Sequence, residues 1–312
     1  MKVQSIQWIE RLWRSRCADT AAQNECTGIG KVTPYLLFAG EADWDDHVTG
    51  VPLITAKQDI SLNKFFLPRA PSPQIVKIWE ALSTAQPDSC LVYVTCSDAR
   101  NAACEAPFQP NEESVMHSFS LTPFMHSSFL TAQWKVPNPN ENLHSTQNQA
   151  ARDGAAIVNQ LHDLYAIVDP SPPSVFRTCH FSVQSDLQHG GLWVHWREGV
   201  EHYMELEYDF SMRDEVALET LRRFLRNILD NALRQRLESL KIALLRFVEG
   251  QTNGCYPVVS PAKDDDTPSK SSLSQNLSLS NSRYLSKVTL TPSSTTSEPK
   301  KPRKRFKHGS AT

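Results

Sequence analysis

The sequence predicts an α/β fold in which a mixed central sheet is flanked by helices, followed by a disordered C-terminal tail. Three observations predict it. Runs rich in strand formers, such as Cys90 to Thr95 and Phe129 to Lys135, alternate with longer stretches. In those stretches apolar residues recur at three-to-four spacing, the period of a helix with one buried face. After about Cys255, Ser, Thr and Pro dominate and all periodicity ends. With 312 residues, 40% of them apolar, the chain is long enough to bury a sizeable core.

The elements follow in order. Val3 to Arg16 is expected to be helical, with Ile6, Ile9, Leu12 and Trp13 on one stripe. From Cys17 to Arg69 a short apolar run, Pro34 to Ala39, stands among many turn formers. Pro73 to Ser83 is a second helix, capped by Ser72 and opened by Pro73, whose fixed φ suits a first turn. The strand Cys90 to Thr95 comes next, then a polar excursion of about thirty residues, then the strand ending in Lys135. Pro137 and Pro139 stop that strand, because proline has no N–H for the ladder. A helix from Gln147 to Val168 carries Ile157, Val158, Leu161, Leu164 and Tyr165 on one face. Its small residues Ala150, Ala151, Gly154, Ala155 and Ala156 suit close packing on a sheet. Strands are expected at Phe176 to Ser185, Leu192 to Arg197 and His202 to Phe210, a meander with turns at Gly190-Gly191 and Glu198-Gly199. A long helix, Met212 to Val248, capped by Ser211, closes the domain. The organisation is then an N-terminal segment, 1–72, belonging to the same domain, a core over 73–250, and the tail over 256–312.

Charge is unevenly distributed. From Pro257 onward there are ten Lys and Arg against four Asp and Glu, a net +6, which leaves −8 on the rest of the chain. An acidic body is a poor general DNA binder, since phosphate contacts need Lys and Arg. The basic cluster Lys300, Lys301, Arg303, Lys304, Arg305 and Lys307 reads as a nuclear import signal for an import receptor, or as a non-specific nucleic-acid contact. Its place at an unfolded terminus favours import and so a nuclear location. The seven cysteines form no Cys-x-x-Cys and follow no signal peptide, which suits a reducing compartment. No uncharged run approaches the length of a bilayer span, so no membrane association is expected.

Gln133 and Lys135 stand two apart at the end of their strand, so their side chains share one face. Asp88, after Pro87, stands at the beginning of the preceding strand. If the two strands are antiparallel neighbours, the three side chains converge; otherwise Asp88 is a plain turn residue. Other motifs fall away. Gly28-Ile29-Gly30-Lys31 fails as a phosphate loop, because the first glycine would fall on Glu25 and the hydroxyl on Val32. His195 and His202, on neighbouring strands, read as polar strand residues rather than as metal ligands. The cysteines lack zinc spacing, and there is no Gly-x-Ser-x-Gly elbow.

The segments Phe129-Leu-Thr-Ala-Gln-Trp-Lys135, Gln147-Asn-Gln-Ala-Ala-Arg-Asp-Gly-Ala-Ala156, Leu192-Trp-Val-His-Trp-Arg197 and Leu221-Arg-Arg-Phe-Leu-Arg-Asn-Ile-Leu229 resemble a large uncharacterised fungal family. That family looks like a PD-(D/E)XK nuclease domain, with a restriction-endonuclease-like fold. The resemblance implies that two acids hold Mg²⁺ against the scissile phosphate while a lysine steadies the attacking water. Carried over, the metal residues are Asp88 and Gln133 and the lysine is Lys135. Apart from the resemblance, Glu80 on the helix before Asp88 could assist a metal, but reads more simply as part of a solvated helix face. Gln133 stands where the family has Glu, so one carboxylate is replaced by a neutral amide. Three readings remain open. One is a nuclear protein with a degenerate domain kept to bind nucleic acid or protein. The others are an Mg²⁺-dependent nuclease and a structural domain without ligand.

Overall fold

The computed structural model describes residues 53–253 apart from 70–71, 75–76, 78–81, 102–104, 124, 136–142, 170 and 187. The predicted helix at 3–16, the run at 34–39, Glu80, the tail and its basic cluster lie outside the described residues. Of the helix predicted over 73–83, residues 73, 74, 77, 82 and 83 are described; the first three are helical, whereas Leu82 and Ser83 are not, so the predicted end is corrected.

An α/β fold is observed. Six strands form one mixed sheet in sequential order. They are β1 (Ile54–Gln58), β2 (Ser89–Tyr93), β3 (Ser128–Trp134), β4 (His180–Ser185), β5 (His189–Glu198) and β6 (Glu201–Ser211). β1, β2 and β3 are antiparallel neighbours, β3 and β4 are parallel, and β4 to β6 are antiparallel again. The parallel step needs a long crossover, and a 26-residue helix, Leu143–Val168, supplies it. Every residue of β2 and β3 is buried. These central strands are covered on both faces, which is why they read as continuous runs rather than alternating ones.

Among the described residues, six helices with full bounds follow in chain order: α1 (Cys96–Asn101), α2 (Pro110–Ser118), α3 (Leu143–Val168), α4 (Val175–Thr178), α5 (Glu215–Asn231) and α6 (Leu237–Thr252). A five-residue π-helical segment, Ala232–Arg236, joins α5 to α6. α3 lies on β3, β4 and β5 and buries Ile157, Val158, Leu161 and Leu164. α5 packs on β6 through an amphipathic face that buries Leu218, Leu221 and Leu225. The π segment is anchored to the sheet. The Tyr93 hydroxyl donates to the Ala232 carbonyl at 2.7 Å, and the Arg236 guanidinium donates to the carbonyls of Cys179 at 2.8 Å and Ser128 at 3.2 Å. No helix among the described residues is long and apolar enough to cross a membrane.

Several sequence expectations need correction. The polar excursion after β2 holds two helices, α1 and α2, and the N-terminal segment supplies a sixth strand, β1. Val175–Thr178 is one helical turn rather than the start of β4. Gly190 and Gly191 lie inside β5. A Cβ on Gly190 would come within 2.3 Å of Phe210 Cζ and 2.5 Å of the Gln184 carbonyl, so the glycine serves close packing and not a turn. Gly199 does sit in a turn, at φ 60°. The closing helix starts later than expected and is capped by Asp214, whose carboxylate accepts from the N–H groups of Val216 and Ala217.

Candidate functional site

Strand parity gives the sheet two different faces. On the side covered by α3 stand Thr131, Gln133, His180, Ser182, Gln184 and His195, all buried. They pair locally: Thr131 Oγ1 lies 2.9 Å from His180 Nε2, and Ser182 Oγ lies 2.7 Å from His195 Nε2. Burial holds both imidazoles far below their ordinary pKa, His195 at about 3, so they are neutral at physiological pH. α3 comes close enough to seal this layer because residue 154 is glycine. A Cβ there would lie 2.3 Å from His195 Nδ1.

The antiparallel register seats Ser89 opposite Ala132, so Asp88 reaches the end of β3. Its Oδ2 accepts the Trp134 N–H at 2.7 Å, between Gln133 and Lys135. Asp88 and Lys135 are half-buried at the rim, and the Lys135 N–H donates to the Ser185 carbonyl at 2.9 Å. Gln133 is different: only 1% of it is exposed. Its Nε2 donates to the Asp153 carboxylate and, at 3.2 Å, to the Gln86 carbonyl. Asp153, on α3, is 0% exposed, and its other oxygen accepts the Gln86 N–H at 3.0 Å. Burial pushes the Asp153 carboxyl up to about 7, with Arg152 opposing and the Asp88 charge adding to the rise.

Gln133, Gln86 and Asp153 therefore form a closed tie between β3, α3 and the segment before β2. The amide orientation is fixed by its neighbours: Nε2 faces two acceptors, and a flipped amide would set oxygen against oxygen. Mg²⁺ needs several oxygens turned toward one point. Gln133 instead presents N–H, both Asp153 oxygens accept from protein donors, and one Asp88 oxygen accepts from backbone. This donor set does not fit Mg²⁺ as it stands. Gln184, in register with Gln133 on β4, adds a buried amide with no hydrogen-bond partner among the described residues.

Sequence reasoning missed Asp153. The signal was present in Arg152-Asp153-Gly154, an acid on the buried face of a helix otherwise lined with small residues. His195 and His202 also join α3 rather than solvent, His202 Nε2 lying 2.8 Å from Asn159 Oδ1. A groove of about 840 Å³ opens on the other face of the sheet, lined by Phe181, Val194, Phe224, Ile228 and Arg236 among others. None of Asp88, Gln133, Lys135 or Asp153 lines it, so it is separate from this cluster.

No curated protein and no solved structure matches the chain. The family model described as "Domain of unknown function (DUF7924)" matches residues 60–244, more than half of the chain and nearly all of the sheet with its helices, and the protein belongs to that family.

Proposed function

We propose that this is a nuclear nucleic-acid-binding protein built on a PD-(D/E)XK-like domain whose metal site has become a structural lock. The observation that carries the reading is Gln133. Its amide occupies the position where the nuclease family has a ligand carboxylate, yet it is buried and bonded to Asp153 and Gln86. The acidic balance of the body, −8, argues against broad phosphate contact there, whereas the tail carries +6 and the cluster from Lys300 to Lys307. On this reading the tail supplies both nuclear import and the electrostatic part of nucleic-acid binding. The domain is a non-catalytic platform.

An Mg²⁺-dependent nuclease is the second reading, and one observation favours it. Asp153 places a carboxylate against Gln133, close enough for the Asp88 charge to raise its pKa. One experiment separates the readings: binding of labelled duplex to the full chain across a salt series, with plasmid cleavage assayed in Mg²⁺ and Mn²⁺. The proposal expects salt-sensitive binding, lost when Lys300, Lys301, Arg303, Lys304, Arg305 and Lys307 are changed to Ala, and no cleavage. Metal-dependent nicking that disappears in Asp88→Ala would establish the nuclease instead. Absence of binding at low salt would leave a structural domain without nucleic-acid ligand.

A further inference from the structure

At the opposite end of β3 from Gln133, a second cluster gathers around α2. Glu113 and His117 stand one turn apart on that helix, so they share a face. The helix is firmly set. Gln109 and Glu112 form a reciprocal capping box, and Pro110 occupies the first turn. His126 comes from the chain just before β3, after a short loop pinned by the Thr122–Met125 bridge. One ligand atom from each of Glu113, His117 and His126 lies within 4.8 Å of the others. His126 Nε2 is 2.5 Å from Glu113 Oε1, and the His117 and His126 rings meet edge to face at 5.1 Å.

The geometry points to a binding site for a divalent first-row transition metal, Zn²⁺ foremost, held by Glu113, His117 and His126. Two imidazoles and one carboxylate are a zinc donor set, softer than the all-oxygen set that Mg²⁺ or Ca²⁺ requires. Three protein ligands leave a fourth position for water or an exogenous ligand, and the exposed His117 puts that position toward solvent. The carboxylate ligand also has its support. The Cys96 N–H donates to Glu113 Oε1 at 2.8 Å and so orients the carboxylate. His126 is 1% exposed, and its Nδ1 has no hydrogen-bond partner among the described residues. Tetrahedral ligands at zinc distances stand about 3.3 Å apart. Glu113 Oε1 and His126 Nε2 must therefore part slightly as the metal replaces the proton between them, and half-buried Glu113 has room to turn. Six residues, five of them in β3, lie between His126 and Gln133, about 20 Å of extended chain, so the two sites are independent.

The test is Zn²⁺ titration of the metal-stripped full chain by calorimetry and thermal melting, repeated with Co²⁺ for its visible spectrum. The chain has ten His and seven Cys, so binding alone decides nothing and the variants carry the result. We expect a stoichiometric site whose affinity falls at least tenfold in His117→Ala, with loss of the zinc-dependent rise in Tm. Glu113→Gln should behave likewise, and His189→Ala, an exposed histidine elsewhere, should bind as wild type. His117 is exposed, so metal-free His117→Ala should melt close to wild type. The Co²⁺ form should lack a thiolate charge-transfer band. Unchanged affinity in His117→Ala, a thiolate band, or no stoichiometric Zn²⁺ binding in the wild type would each overturn the site.

Discussion

The two faces of the same strands are built on opposite principles. Toward α5 and α6, β3 to β5 present Leu130, Trp134, Val183 and Leu192, an apolar layer buried to 1% exposure or less. Toward α3 they present hydroxyls, imidazoles and two glutamines, buried to 2% exposure or less, and these meet the buried carboxyl of Asp153 on the helix. An apolar face is held by area removed from water and is indifferent to pH. A buried polar face depends on its hydrogen bonds and on the protonation states of its groups, so it is the fragile half of the core. The difference teaches where polar side chains can be kept inside a fold: against a closely packed helix, by turning to one another. On the proposed reading, this layer is what a former metal site has become.

The largest effect should come from breaking the Gln133–Asp153 pair. Gln133→Glu sets two carboxylates in contact in a buried place, where like charges cannot both ionise. In a chelating buffer the variant should lose about 3–5 kcal/mol at pH 8, the range for an uncompensated buried charge, and less at pH 5, where one acid stays protonated. Denaturant unfolding at the two pH values checks it. Leu192→Ala, on the apolar face, should cost about 3 kcal/mol equally at both pH values. A pH-dependent loss there would erase the contrast between the faces.

Asp153→Asn sharpens the comparison in the other direction. A carboxyl with a raised folded pKa contributes stability below its unfolded value, about 4, and loses it as pH rises toward the folded value of about 7. His180 and His195, with depressed values, work oppositely and penalise acid. Both histidines remain in the variant, so its difference from wild type isolates Asp153. From pH 5 to pH 8 that difference should shift in favour of the variant by about 2 kcal/mol. A flat difference would mean that Asp153 stays ionised in the fold. The smallest effect expected is Gly154→Ala, about 2 kcal/mol or less from pressing a Cβ against the His195 ring. It should be read with the pH profile, since lifting α3 would admit water to the polar layer.

Most of this fold was legible in the sequence because its central elements obey simple periods. β2 and β3 are continuous runs of strand formers, and α3 repeats apolar and small residues at helical spacing. β1 was not legible, since a five-residue edge strand, half-buried and carrying Lys57 and Gln58, has neither an apolar run nor an alternation. Gly190 and Gly191 misled because glycine marks close approach as well as turns. α2 was hidden by its polarity, as only Val115 and Met116 are buried, and with it went Glu113 and His117. The nearness of Asp88 to Gln133 followed from strand order alone. The partner that defines Gln133, Asp153, did not, because it joins β3 only through the way α3 lies across the sheet.

One measurement addresses the central claim directly: calorimetric titration of Mg²⁺ into the wild-type chain and into Gln133→Glu, side by side at pH 8, with melting of each in and out of the metal. If the nuclease-type site has become a lock, the wild type gives no heat and no change in Tm. The variant, with carboxylates at positions 88, 133 and 153, binds Mg²⁺ and recovers part of its lost stability, since a ligand that binds only the folded state stabilises it. Mg²⁺ binding by the wild type would contradict the lock. Silence from both proteins would show that Asp88, Gln133 and Asp153 never composed a metal site.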